Sequence, residues 1–531
     1  MSLGPRRRLH SLNSQHSNIV VMQNKSTNIW PSSISTEGEV RYRRQFLLTD
    51  AELPIPAEWK TLEVGRGMYL YHCPDLKVCQ FIDKLGNQWH LIGHAYSVIG
   101  NDSELLAREI ATSAEDSIHT IVRNWTGRWL LISPNSIVTD AAGLLGVFIL
   151  EQEKSIMLSS SLALLKALRN PPLSDTRVIS WHGFNWYPLP ATKYQSIRKL
   201  LPDQAYFLSS RRIVFLDRLE LPSITNTKEI AACIIRGLTN VVRQIHRSRN
   251  DCRIVLSLTA GLDSRTNYAI LRSACTPFSA MTMWHPRISL ADRCIPEAIV
   301  ERHGIQHRFI KGSAYSDARR QQYDQHTDAT VIDGDRYFYS HGAFESLGAD
   351  YLVRSGCWEI GRKYFHRQLA GLDLQEIHDR PEKLLKRFRT YCNTRESGLG
   401  VRNWAAWRLQ HMQPAADWRD LFYRDQRLAG WLSSIEQSLD LIAPASIHPV
   451  NSDYFYGFLI RASEHEAETG IQEAIIDLCA PDLGDIPINP DLDGTLRRTR
   501  AFASRVSAIF TGELHNLVKQ VVSGQRHISH E

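Results

Sequence analysis

The chain has few of the features that would set it apart from an ordinary globular protein. No run reaches the roughly 18 apolar residues that a membrane-spanning helix needs, so membrane insertion is not expected. The nine cysteines include no Cys-x-x-Cys pair and no zinc spacing. An odd count without a framework fits a reducing, cytoplasmic setting rather than a disulfide scaffold. Neither sign of charge dominates, with 62 Lys and Arg against 56 Asp and Glu. The net charge is +6 over 531 residues, and Lys and Arg are scattered rather than gathered in a stripe. That balance suits a small anionic ligand and argues against nucleic acid as a partner. No Gly-x-x-x-x-Gly-Lys-Ser/Thr run occurs, which removes the Walker way of holding phosphates. The opening "MSLGPRRRLH" is basic, but "SLNSQHSN" follows where a signal peptide carries its apolar core, so an unstructured or appended start is expected. Internal repeats and low-complexity segments are absent.

The length is enough for two or three domains with large cores, and 43% hydrophobic with 22% charged residues is a globular balance. Up to about residue 215 the chain reads as short strands broken by Gly, Asn and Pro, for example "GMYLYHC", "VCQFIDKLGNQWHLIG" and "AYFLSSRRIVFLDRL". This pattern predicts a mainly antiparallel α+β sandwich. Ile230, Cys233, Ile234, Leu238, Val241 and Ile245 then recur at helical spacing, which places a domain boundary near 220: 1–220 and 221–531. Beyond it strand and helix alternate: "RIVLSL", "SRTNYAILRSA", "FSAMTMW", "CIPEAIVERHG", "QHRFI". Such alternation predicts a parallel α/β sheet with its ligand at the carboxyl ends of the strands. After residue 370 the chain reads as largely helical, with Trp404, Trp407 and Trp418 as packing mass.

The corner "LSLTAGLDSRTNYAIL", Leu256 to Leu271, joins the first of these strands to a helix through small residues. From Ser257 and Leu258 through Thr259, Ala260, Gly261 and Leu262 to Asp263 and Ser264, backbone amides, two hydroxyls and a helix start converge. Together they can cradle an anion. The alternative is a tight turn capped by Asp263 and Ser264.

This corner resembles the Ser-Gly-Gly-x-Asp-Ser loop of the PP-loop ATP pyrophosphatases, with Thr259 for Ser and Ala260 for the first Gly. The likeness implies ATP held on the loop and cleaved between its α and β phosphates, with Asp263 a magnesium ligand. "FSAMTMW" and "LADRCIPEAIVERHGIQHRF" are similar to the next unit of the asparagine synthetase-like branch, which implies adenosine against the second strand, near Met283, and a role for Asp292. "GADYLVRSGCWEIGRKYF" is similar to that branch's Gly-x-Gly-x-Asp-Glu-x-x-Gly-Gly-Tyr signature, with Gly356, Glu359 and Tyr364 in register. Trp358 stands where the signature has Asp, which leaves Glu359 as the second metal ligand that the resemblance implies. "TGRWLLISPNSIVTDAAGLLGVFIL" and "FNWYPLPATKYQSIRKLLPDQAYFL" follow the order of the glutaminase-type domain. A working glutaminase uses an N-terminal cysteine; position 2 is Ser2 and the first cysteine is Cys73, so no ammonia production is expected. The fold implied is a glutaminase-like α+β sandwich followed by a PP-loop ATP pyrophosphatase domain of the adenine nucleotide alpha hydrolase-like kind, with a parallel sheet and a helical C-terminal part.

Without a glutaminase the attacking nitrogen must come from another amine, as in the β-lactam and carbapenam synthetases and the lasso peptide cyclases. "HPVNSDYFYGFLIR" and "TAGLDSR" resemble the cyclase forms of these segments. The resemblance implies an ATP- and magnesium-dependent macrolactam synthetase acting on an Asp or Glu side chain of a precursor core peptide, with a leader peptidase and a leader-recognition protein as partners. Small-molecule amide or β-lactam synthesis on the same scaffold and a silent scaffold are the alternatives. Closing a ring of about eight residues costs only ~2 kcal/mol plus a constant, whereas positioning can lower a barrier by roughly 7 to 11 kcal/mol. A base must take the amine's proton. The β-lactam synthetases use a Tyr and Glu pair, which implies Tyr364 with Glu396; a packed Tyr and a solvated Glu are the bland readings. The family keeps a Lys near the C-terminus to neutralise phosphate charge, and "INPDLDGTLRRTRAF" offers Arg497, Arg498 and Arg500 instead. These three equally fit a solvated helix face. Trp404 and Trp407 either shape a peptide cavity or sit in core.

Overall fold

The computed structural model describes residues 42–53, 58–100, 105–112, 117–153, 155–182, 184–249, 251–284, 288–311, 317–328, 330, 344–388, 395–412, 416–465 and 469–492. Among the described residues as far as Phe215 lie two six-stranded sheets, with a two-stranded pair and short helices between their strands. Their strands pair antiparallel throughout. Phe46, Leu48, Leu70 and Leu158 of one sheet meet Ile92, Leu130, Ile132, Ile137 and Tyr206 of the other in one core, which makes a sandwich. The strand Trp125–Ile132 is buried along its whole length. Its other face, with Trp125, Trp129 and Leu131, packs on Ile110 and Val122.

From α1 (Thr227–Arg247) onward the chain alternates. Asn226 caps α1 by accepting from the backbone amides of Lys228 and Glu229. Then come β1 (Ile254–Ser257), α2 (Leu262–Ser273), β2 (Ser279–Trp284), α3 (Leu290–His303), β3 (His307–Lys311), β4 (Tyr351–Val353) and β5 (Ala445–Ile447). The five strands form one parallel sheet in the order β3-β2-β1-β4-β5. The chain winds outward from β1 to β3 and then crosses back to lay β4 on the other side of β1. The loops leaving β1 and β4 therefore part in opposite directions, and the crevice between them is where open α/β sheets bind ligands.

The described elements after residue 370 are helical apart from β5, which helical spacing did not reveal. Three residues ending before "HP" give too short a signal to read as a strand. Within that region Tyr423–Leu432 is a π-helix, a form concentrated at functional sites. No helix among the described residues is long and apolar enough to cross a membrane.

The sandwich and the parallel sheet are tied by buried polar links. Arg128, on a sandwich strand, holds Asp440 with two 2.7 Å bonds. Asp203 accepts from Arg408 Nη2 at 2.7 Å and from Arg424 Nη2 at 3.0 Å. "HPVNSDYFYGFLIR" lies at this junction: the Asn451 amide donates to the Gly127 carbonyl and to Asp140 Oδ1, while Asp453 pairs with Arg218.

Candidate active site

The β1 corner folds as a compact loop because its own side chains bond its backbone. The Ser264 hydroxyl accepts from the Thr259 amide at 3.0 Å, Thr259 Oγ1 accepts from the Gly261 amide at 3.2 Å, and Asp292 Oδ1 accepts from the Ala260 amide at 2.8 Å. Asp292 is fixed in turn by Ser289, whose hydroxyl donates to its Oδ2 and also caps α3. Asp292 is thus a brace of the loop. The C-terminal segment covers the other side: the Asn489 amide donates to the Ala260 carbonyl, and the buried Arg265 guanidinium donates to the carbonyls of Ile486 and Pro487. Ser257 and Leu258 carry the strand into this loop.

Once the loop is held this way, the start of α2 is left open. Gly261 is its N-cap and makes no side-chain cap bond. The first-turn amides of a helix lack intrahelical partners, and a 12-residue helix that begins uncapped at a crevice directs them at an incoming anion. Asp263 lies in that first turn.

The segment leaving β4 faces the loop. Arg362 forms an ion pair with Asp263 Oδ1, and the Gln472 amide donates to the same oxygen at 2.8 Å. The link between the two segments therefore runs through Arg362, which occupies the first position of the signature's Gly-Gly pair. Lys363, at the second position of that pair, adopts φ 51, the left-handed conformation that favours glycine. Gly356 is needed for space: a Cβ there would lie 2.9 Å from Leu432 Cδ2. Trp358, where the signature has Asp, is 1% exposed and donates its indole N–H to Asn267 at 3.0 Å, a core position. Behind this segment the buried Glu436 takes an ion pair from Arg354, and His448 Nε2 lies 3.0 Å from the same carboxylate oxygen. His448 also accepts from the Gly356 amide at 3.3 Å.

Glu359 points toward the π-helix and accepts from the Tyr423 hydroxyl at 2.7 Å. Tyr364 packs on Tyr423, with ring centroids 5.3 Å apart. Burial pushes the Tyr364 hydroxyl above its ordinary value and Glu359 adds to this, while Arg427 and Trp181 pull it down. Sequence reasoning did not find Tyr423 or Arg427, since nothing in a helical pattern distinguishes a π-turn.

Glu396 is not in this group. It lies on the helix α4 (Arg395–Gln410) and lines a separate cavity of about 890 Å³, with Trp407, Thr192, Tyr194 and Arg198. Trp404 is fully buried and donates to Asp425, and is thus a core residue. Met283 is half-buried near the end of β2. Arg497, Arg498 and Arg500 lie outside the described residues.

Magnesium on phosphates needs one or two carboxylates besides the phosphate oxygens. Asp263 meets that need in part, since both of its bonds fall on Oδ1. No group of three or more potential metal-ligating side chains occurs among the described residues.

Among solved structures the chain is similar to the U34-tRNA thiolase from Methanococcus maripaludis with its [4Fe-4S] cluster, at 13% identity over 51% of this chain and 88% of that one, with a TM-score of 0.20. It is also similar to the allosteric regulatory enzyme of purine biosynthesis, at 12% identity over 53% of this chain and 64% of that one, TM-score 0.22. A third is the glutamine phosphoribosylpyrophosphate amidotransferase from B. subtilis complexed with ADP and GMP, at 11% identity over 53% and 64%, TM-score 0.19. The chain thus spans under two thirds of the latter two. TM-scores near 0.2 establish neither a shared fold nor a shared chemistry. No family model and no curated protein matches the chain.

Proposed function

We propose that the chain is an AMP-forming amide ligase that closes a macrolactam on a peptide, as the lasso peptide cyclases do. The observation that carries this reading is the meeting of two segments at the switch point of the sheet. The β1 corner, with its uncapped helix start, faces the segment after β4 through Asp263 and Arg362. In the proposed reaction a side-chain carboxylate of the core peptide attacks the α-phosphorus of ATP and expels pyrophosphate. The peptide's N-terminal amine then attacks the acyl carbon, gives up a proton, and expels AMP.

The first turn of α2 takes the pyrophosphate oxygens, and Thr259 and Ser264 keep the loop in shape for them. Arg362, which stays protonated at any working pH, adds positive charge beside the phosphates. Asp263, with Glu359, would hold magnesium, which neutralises phosphate charge when bound. Tyr364, packed on Tyr423, would relay the amine's proton as it leaves. Glu396, on another cavity, has no part in that transfer. The peptide, its leader peptidase and its leader-recognition protein are the partners this activity calls for.

The small-molecule amide or β-lactam synthetase reading shares every step except the size of the substrate. Incubation of the full chain with ATP and a linear precursor peptide separates the two. The cyclase gives AMP, pyrophosphate and a product lighter by one water, resistant to aminopeptidase. ATP turnover with a small β-amino acid and none with the peptide selects the small-molecule reading. No AMP with either leaves a non-catalytic scaffold.

A further inference from the structure

Arg427 is a buried cation without a counter-ion. It is 5% exposed, and no described carboxylate lies within ion-pair distance of it. Its guanidinium carbon is 4.0 Å from the Phe184 ring centre and 3.7 Å from that of Trp431. The two rings touch each other edge-on, 4.7 Å apart. Three donors at this spot find no acceptor among the described residues: Arg427 Nε, Arg427 Nη1 and the Trp431 indole N–H. Burying a charge and leaving its donors unmade are both costly. Ring stacking offsets part of this cost but supplies no acceptor. The group is held in the π-helix next to the site, beside Tyr364 and one turn after Tyr423, which binds Glu359.

We propose that Arg427 and Trp431 form the seat of the carboxylate that the enzyme activates. The proposal rests on the amide-ligase reading, which brings two anions to the crevice. The open start of α2 serves the phosphates, and the guanidinium, which meets the Tyr364 hydroxyl but keeps Nε and Nη1 without an acceptor among the described residues, suits the other. A planar fork of N–H donors matches a carboxylate, and surrounding rings keep out water that would weaken the pair. Conversion of the carboxylate to an acyl-adenylate removes its charge, so the hold on Arg427 loosens as the amine attacks.

The test uses the full chain without nucleotide and follows the Trp431 indole N–H signal by NMR, assigned with Trp431→Phe. The probe is N-acetyl-aspartate α-amide, which carries one side-chain carboxylate. Its asparagine analogue is the uncharged control, and inorganic pyrophosphate is the phosphate control. The acid should shift the Trp431 signal saturably and the analogue should not. Arg427→Gln should weaken the response about tenfold or more, the loss expected for a charge-assisted bond. Arg427→Lys, which keeps the charge and guards against a folding artefact, should fall between. The proposal is overturned by no saturable shift, by an equal shift from the analogue, by an unchanged response in Arg427→Gln, or by a response to pyrophosphate in place of the acid. Because no ATP is present, failure of the adenylation reading would not move this result, and failure here would leave ATP binding at the loop to be measured separately.

Discussion

Glu436 links the acid stability of the protein to the shape of its crevice. The side chain is fully buried, and Arg354 and then His448 hold its carboxyl at about 2, well below the usual 4.5, against burial, which acts the other way. A carboxylate whose acidity is raised on folding stabilises the fold above its unfolded value. That contribution is lost as pH falls from about 4.5 through about 2. At about 1.4 kcal/mol per tenfold change in acidity, the loss comes to roughly 3 kcal/mol. Arg354 and His448 flank β4 and β5, and His448 accepts from the Gly356 amide, so protonation should open this corner first. For a chain of this size a single unfolding free energy is poorly defined, so local opening is the quantity to follow. Hydrogen exchange of the amides at 353–357 and 445–450, between pH 3 and 6, should show protection falling in the native chain. In Glu436→Gln protection should be lower at pH 6 and nearly level with pH. Parallel pH profiles for the two chains would refute this reasoning.

Asp263→Ala should abolish pyrophosphate release from ATP in the presence of the substrate while far-UV circular dichroism stays unchanged; normal release would remove Asp263 from the site. Tyr364→Phe should slow ring closure more than adenylate formation in single-turnover assays, and equal losses would count against a role in proton transfer. Asp203→Ala, which leaves Asp425 as the remaining carboxylate partner of the buried Arg408 and Arg424, should cost about 3 kcal/mol and lower the melting temperature clearly. Buried Lys199 donates to the Ala429 carbonyl at 2.6 Å, and burial pulls its amine down to about 7. Because the unfolded chain binds that proton up to about pH 10.5, stability should rise between pH 7 and 10.5, and Lys199→Met should flatten the rise.

The path of the chain was legible wherever periodicity is strong. The first three parallel strands and their helices lie where alternation placed them, because β1 and most of β2 are buried apolar runs and helices start or end on marked residues, such as Ser289 and Gly304, the latter just ahead of the half-exposed β3. β4 and β5 are only three residues each and had no such signal. At the site, motif matching pointed to both segments but not to what joins them. Arg362 replaces a glycine of the signature, a departure that the motif comparison passed over and that the structure pairs with Asp263. Glu396 was carried over on sequence distance alone; the intervening chain takes it to another cavity. The Arg427 and Trp431 pair was invisible because a π-turn changes which residues share a face without changing composition.

The central claim is that ATP is held between the β1 corner and the segment after β4. Hydrogen exchange of the full chain with magnesium and the α,β-methylene analogue of ATP maps that contact directly. The account predicts added protection at 259–266 and 354–362 and none in the cavity that holds Glu396 and Trp407. Protection confined to that cavity, or absent from both segments at saturating analogue, would contradict it.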